Sequence, residues 1–117
     1  MRENLWDYSE MNDVNHLRSL LEKEKGLDIN SKLIDDWTAL HLAANEGHSE
    51  IIEILSQYKA NLEAETKMER RAIHIAALRG NLKVIQILVK NGAQINPRVT
   101  TLLIYNNLNL RAMYITF

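Results

Sequence analysis

Apolar positions fall along this chain in a block that is written twice. Leu40, Leu42, Ala43 and Ala44 form a short apolar segment ending at Gly47. Ile51, Ile52, Ile54 and Leu55 then follow at the spacing of one helix face. The block returns as Ile73, Ile75, Ala76 and Ala77 before Gly80, and then Val84, Ile85, Ile87 and Leu88. His41 to His74 and Gly47 to Gly80 both span 33 residues. Each block predicts a helix, a tight turn and a second helix. Glycine suits the end of the first helix, where the chain often turns through positive φ. The paired alanines let neighbouring helices approach closely. A helix pair this short cannot bury its own apolar face, so such units must stack, and a fixed period of this size marks a stacked-repeat protein.

A degenerate unit lies upstream. Asn12 falls where Gly47 sits, and asparagine tolerates the left-handed conformation better than most residues. Leu17, Leu20 and Leu21 supply the apolar face of its second helix. From Asn12 to Gly47 the offset is 35, so this unit carries about two extra residues. Glu22-Lys23-Glu24-Lys25 is the natural place for them, in a solvated loop. A first unit with a polar outer face is what the end of a solenoid requires.

The segment Thr38-Ala39-Leu40-His41-Leu42-Ala43-Ala44 resembles the Thr-Pro-Leu-His-x-Ala signature of the ankyrin repeat, with Ala39 where proline is usual. Asn91-Gly92-Ala93-Gln94-Ile95-Asn96 is similar to that family's Gly-Ala-Asp-Val-Asn loop, and Leu27-Asp28-Ile29-Asn30 matches the loop again. The resemblance covers roughly residues 4–97. It implies an all-α solenoid in a single domain. The units would span about residues 4–32, 33–65 and 66–98, with an atypical C-terminal segment at 99–117.

Several positions depart from the family pattern. Asp36 and Glu69 stand where glycine is usual in the turn before the threonine, and Lys59 replaces a loop glycine. Arg71 replaces the signature threonine, removing a hydroxyl that in the family helps tie the histidine to the turn. Ser49 stands where leucine is common, which leaves that spot less well filled. Beyond Pro97 the pattern stops, and two readings stay open for Arg98 to Phe117: a divergent cap helix over the third unit, or a loosely ordered tail. Met113, Tyr114, Ile115 and Phe117 favour docking, because exposing them would invite aggregation.

Charge adds a polarity to the stack. Residues 1–64 hold 13 acidic and 6 basic side chains, whereas residues 65–117 hold 2 and 8. Sequence order is spatial order in a stacked-repeat fold, so one end should be acidic and the other basic. Part of this asymmetry has a structural explanation: side by side in adjacent units, Glu46 would face Arg79 and Glu50 would face Lys83. Such exposed pairs are worth about 0–1 kcal/mol each. The overall charge of −1 gives no global sign of nucleic-acid binding, and the basic cluster Lys67, Arg70, Arg71, Arg79 and Lys83 lacks an interleaved aromatic platform.

Little points to catalysis. The chain has no cysteine, P-loop, dinucleotide fingerprint or nucleophile elbow. The resemblance makes His41 and His74 structural, and His16 and His48 read as isolated surface residues. Asp35-Asp36 reads as a solvated turn. No catalytic residue, metal or cofactor is expected. A polar N-terminus and the lack of a long uncharged apolar run make cytosol, or nucleus, the expected setting, with no membrane segment.

What the resemblance implies is a non-catalytic module that binds a protein through the concave face built from turn tips and first helices. In this chain those positions are Asp35, Asp36, Trp37, Asn45 and Glu46, then Met68, Glu69, Arg70, Leu78 and Arg79. Two readings stay open for Trp37: an exposed turn tip used for contact, with Arg70, its equivalent one unit on, within reach for a cation–π contact, or a ring folded back on Arg70 that serves packing alone. Trp6 and Tyr8 are expected to fill the core of the first unit. The alternative function is assembly, through self-association of the short array by its C-terminal apolar segment.

Overall fold

A computed structural model describes residues 4–106. Among these residues the chain forms seven α-helices and no strand: α1 (Leu5–Glu10), α2 (Val14–Lys23), α3 (Ala39–Glu46), α4 (Ser49–Gln57), α5 (Ala72–Arg79), α6 (Leu82–Lys90) and α7 (Pro97–Tyr105). They stack in two layers. The sequence α1, α3, α5, α7 forms one layer, each helix packed on the next, and α2, α4, α6 form the other. Loops joining α2 to α3 and α4 to α5 project from the first layer as two fingers. The first finger holds a short 3-10 turn at Ile34–Asp36.

The apolar positions of the repeated block fill the space between the layers. Leu17, Ile51, Ile52, Ile54, Leu55, Ile73, Ile85 and Leu88 are fully buried there, and the alanine pairs on α3 and α5 are buried as well. Gly47 and Gly80 end α3 and α5 at φ 75° and 73°, each returning its N–H to the carbonyls of the alanine pair of its own helix. Asn12 takes the same conformation at φ 61°. A Cβ on Gly47 would lie 3.3 Å from the Asn81 side chain, whereas one on Gly80 would meet open space. Gly47→Ala is therefore expected to cost about 1–2 kcal/mol from the left-handed backbone alone, plus the displacement of Asn81. Gly80→Ala isolates the backbone cost. Equal losses in urea unfolding would mean that the Asn81 contact carries no weight.

Three residues that replace the family's glycines adopt the glycine conformation anyway: Asp36 at φ 62°, Lys59 at φ 67° and Glu69 at φ 60°. Each carries backbone strain of about 1–2 kcal/mol. The extra residues of the first unit are split between a longer α2, ten residues against nine in α4 and α6, and the exposed turn at Glu24-Lys25.

At the C-terminal end the helix reading holds over Pro97–Tyr105. Asn96 caps α7 by accepting from the Val99 N–H at 3.1 Å, and proline follows in the first turn, where a missing N–H costs nothing. Val99 and Leu103 bury against the stack, and α7 packs on α5 as α5 packs on α3. The helix starts inside the span assigned above to the third unit. Met113, Tyr114, Ile115 and Phe117 lie outside the described residues. From the start of α3 to the start of α5 is 33 residues, but from α5 to α7 it is only 25. What is lost is the finger: the chain passes directly from the loop at Ala93–Asn96 into the next first-layer helix.

Candidate functional site

The fingers are held from beneath by the repeated histidine. His41 Nδ1 accepts from the Thr38 backbone N–H at 3.0 Å and lies 2.8 Å from the Thr38 hydroxyl, while the His41 N–H reaches back to that hydroxyl at 3.4 Å. Its Nε2 lies 3.0 Å from both the Ala64 and the Arg70 carbonyl oxygens. Two carbonyls accept only, so Nε2 carries the proton and the ring is neutral. Burial, partly opposed by those two carbonyls, pushes the His41 pKa below its usual value. One side chain thus fixes its own helix start and clamps both sides of the next unit's finger.

His74 repeats half of this. Its Nδ1 accepts from the Arg71 N–H at 3.0 Å, but arginine has no acceptor with which to complete a reciprocal cap. With no further finger to hold, its Nε2 faces Asn96 Oδ1 at 3.3 Å. Burial again lowers the pKa, against the Asn96 bond, and the nearby Arg98 and Arg71 charges lower it further. The Arg71 side chain instead straddles Glu63 and Glu65, each at 3.3 Å, and so braces the finger by ion pairs in place of the lost hydroxyl.

The first finger's tip is not Trp37. Asp35 and Asp36, at φ 58° and 62°, turn the chain sharply, and the Leu33 N–H closes the loop on the Trp37 carbonyl at 2.7 Å. This geometry throws Ile34 outward, 83% exposed, and tucks Trp37 half-buried against the core. The Trp37 ring packs on His41, centroids 5.8 Å apart, and that contact, not a cation–π pair with Arg70, is its ring interaction. On the second finger Met68 is 69% exposed, and Glu69 and Arg70 are exposed beside it. The fingers join edge to edge where the Lys67 N–H donates to the Asp35 carbonyl at 2.9 Å.

Between the first-layer helices the expected charge pair is replaced by an amide. Arg79 Nε donates to Asn45 Oδ1 at 2.8 Å, and Asn45 Nδ2 donates to Glu46 Oε2 at 3.1 Å. Asn45 lies 34 residues before Arg79, one position off the strict 33-residue register that would select Glu46, and it receives the guanidinium while Glu46 stays exposed. Glu50 and Lys83 form no ion pair either; among the described residues the second-layer pair is Glu53 with Lys90, at 3.9 Å. In the first unit Trp6 and Tyr8 pack against the core but stay half-buried at its edge. Trp6 Nε1 donates to the Ser31 carbonyl at 3.2 Å, and Tyr8 stacks on the exposed His16 with centroids 5.4 Å apart. His48 is half-buried, its Nε2–H donating to the Glu10 carbonyl at 2.8 Å.

Three hollows run along this face and share walls. The first, of about 290 Å³, lies among Leu33, Ile34, Asp35, Trp37, Leu42 and Asn45. Trp37 and Asn45 also line the second, of about 540 Å³, with Arg70, Ile75, Leu78 and Arg79. Arg70 and Leu78 continue into the third, of about 380 Å³, completed by His74, Pro97, Arg98, Thr101 and Leu102. Of the ten residues expected at the site, Asp35, Trp37, Asn45, Arg70, Leu78 and Arg79 line this groove; Asp36, Glu46, Met68 and Glu69 stand around it. Ile34 and the α7 residues were missed by reading the sequence. The Asn96-Pro97 pair is a helix-start signal that could have located the latter.

The repeated histidine clamp, the left-handed glycines and the edge-joined fingers are accompanied by a match of residues 5–99 to the family model for ankyrin repeats in three copies. The chain belongs to the ankyrin-repeat family. Ankyrin repeats are generally protein–protein interaction modules. The chain is 34% identical over 56 residues to acyl-CoA-binding domain-containing protein 6 of Bos taurus, and 32% identical over 57 residues to the protein of the same description in Homo sapiens. These matches cover 48% and 49% of this ankyrin chain, but only 20% of the length of either relative. Among the described residues no helix is long and apolar enough to cross a membrane, and no group of three or more His, Asp or Glu is placed to hold a metal ion.

Proposed function

We propose that this ankyrin array binds a protein partner along the finger face, without catalysis. The observation that carries the reading is the exposure of large apolar side chains on that face: Ile34 and Met68 at the finger tips and Leu78 on α5, beside the continuous groove. Surface apolar groups gathered in this way mark interaction sites. Around them Asp35, Asp36 and Glu46 form an acidic end and Arg70, Arg79 and Arg98 a basic one, an arrangement that would orient the partner. Trp37 contributes the half-buried floor, and Asn45 and Glu69 contribute polar edges.

Ile34→Asp with Met68→Asp is the direct test, because both side chains are exposed and their loss leaves the core intact. The double variant is expected to weaken capture of a native partner at least a hundredfold while its urea midpoint stays near that of the parent. Undiminished capture would place the interface elsewhere. The second reading, assembly by self-association, draws on Ile104 and Tyr105, 67% and 83% exposed on α7. Native mass measured across a concentration series separates the two; a strict monomer removes the assembly reading.

A further inference from the structure

The third hollow exists because the last finger is missing. In the complete units, the carbonyl edge of one finger is met by the next finger, as Asp35 is by the Lys67 N–H. The second finger has no successor. Its Glu69 carbonyl accepts instead from the Arg98 guanidinium at 3.1 Å, and His74, which would clamp the absent finger, turns to Asn96. The space left open is walled by Leu78, Pro97 and Leu102, with Arg70 and Arg98 at its mouth.

Two features define what fits there. The walls are mostly apolar. Both guanidiniums at the mouth are exposed, and among the described residues neither is ion-paired to a carboxylate. The surrounding sequence supplies few internal anions, since residues 65–117 contain only Glu65 and Glu69. Glu65 is already engaged by Arg71. Arginine presents a planar fork suited to carboxylates, and two exposed forks with no carboxylate partner beside an apolar cavity suit a ligand with both characters.

We infer that this finger-less pocket receives an apolar side chain of the partner segment flanked by aspartate or glutamate, and so makes the ankyrin array selective for acidic peptides. The inference rests on the finger face being the binding face and adds the chemical class of what occupies its C-terminal end. The segment would lie with its acidic part at Arg70 and Arg98 and would run towards Trp37 and Ile34.

The test uses the full chain and two sets of fluorescein-labelled octapeptides, one with a single leucine or isoleucine among Asp and Glu, the other with the same residue among Lys and Arg. Anisotropy titrations are expected to show the acidic set binding at least tenfold more tightly, with the preference shrinking as salt is raised. Arg70→Ala and Arg98→Ala should each weaken the acidic set about tenfold, and Arg98→Lys should retain part of the binding. Circular dichroism confirms folding of each variant. Equal binding of both sets, or acidic-set binding that survives the folded double variant, overturns the inference. Sodium octanoate binding as tightly as the peptides also overturns it, by assigning the pocket to a small amphiphile. Partner capture that depends on Ile34 and Met68 but not on the two arginines would leave the finger face standing and remove only the acidic selectivity.

Discussion

His41→Leu is expected to destabilise the protein by about 3 kcal/mol, more than any other polar substitution in the chain. Leucine fills much of the imidazole volume, so the loss comes from hydrogen bonding rather than from a cavity. The Thr38 N–H and the Ala64 carbonyl would lose their partner at once, and the Arg70 carbonyl would keep only the Thr66 N–H. An unsatisfied buried group costs about 1–3 kcal/mol, and the lower part of that range applies because the Nε2 end is only partly buried. His74→Leu removes bonds to Arg71 N–H and Asn96 only, and should cost about half as much. The measurement is urea unfolding at pH 7.5; equal losses for the two variants would contradict the clamp. Both histidines also tie stability to pH. Their pKa values are lowered in the fold from about 6.5, so below that pH the unfolded chain binds more protons than the native one. Their contribution is complete above pH 6.5 and is lost progressively as the pH falls beneath it. The urea midpoint should therefore drop between pH 7.5 and pH 5, and drop less in the His41→Leu, His74→Leu double variant. A parent midpoint that rises on acidification would invert the assignment.

The contrast between those histidines shows what a repeat discloses and what it conceals. Positions set by a steric or period rule were legible: the helix faces, the alanine pairs, and the left-handed turns at Asn12, Gly47 and Gly80. The rule acts on each residue alone, so copying the pattern copies the structure. Contacts between units were less legible, because they depend on offsets of one residue. Arg79 reaches Asn45, not Glu46, through such an offset. Trp37 was misplaced for a related reason. Homology puts it near the turn, but two successive positive-φ aspartates decide which neighbour is thrown outward, and they choose Ile34. The missing finger left a trace, since Asn96-Pro97 starts a helix eight residues early. An absence is hard to see in a pattern that is defined by what recurs. The candidate groove was thus half readable: its wall on α3 and α5 came from the repeat, while its end at Arg98 and Leu102 came from where the repeat fails.

Ile52→Ala should bring the largest loss of all, about 4 kcal/mol, and it separates the stack from the face. Ile52 is fully buried on α4, which packs between α2 and α6. Truncating such a residue removes transfer energy and leaves a cavity that the two neighbouring units must collapse to fill, and large-to-small changes of this kind cost about 2–5 kcal/mol. A middle position takes the upper part of that range because two interfaces are loosened together. In a short array each unit is held by its neighbours, so the loss should lower the single unfolding midpoint and not produce a second transition. Ile34→Ala is the internal comparison: the same side chain, exposed at a finger tip, should change stability by less than about 0.5 kcal/mol. Binding should rank the two in the opposite order. Ile52 lines none of the three hollows, so at a temperature where the Ile52→Ala protein remains folded its partner affinity should match that of the parent, and any apparent deficit should track the unfolded fraction. Ile34→Ala should lose affinity with no unfolded fraction to account for it. A full-strength Ile34→Ala protein together with a folded but non-binding Ile52→Ala protein would show that recognition depends on the second layer, against the placement of the site on the fingers.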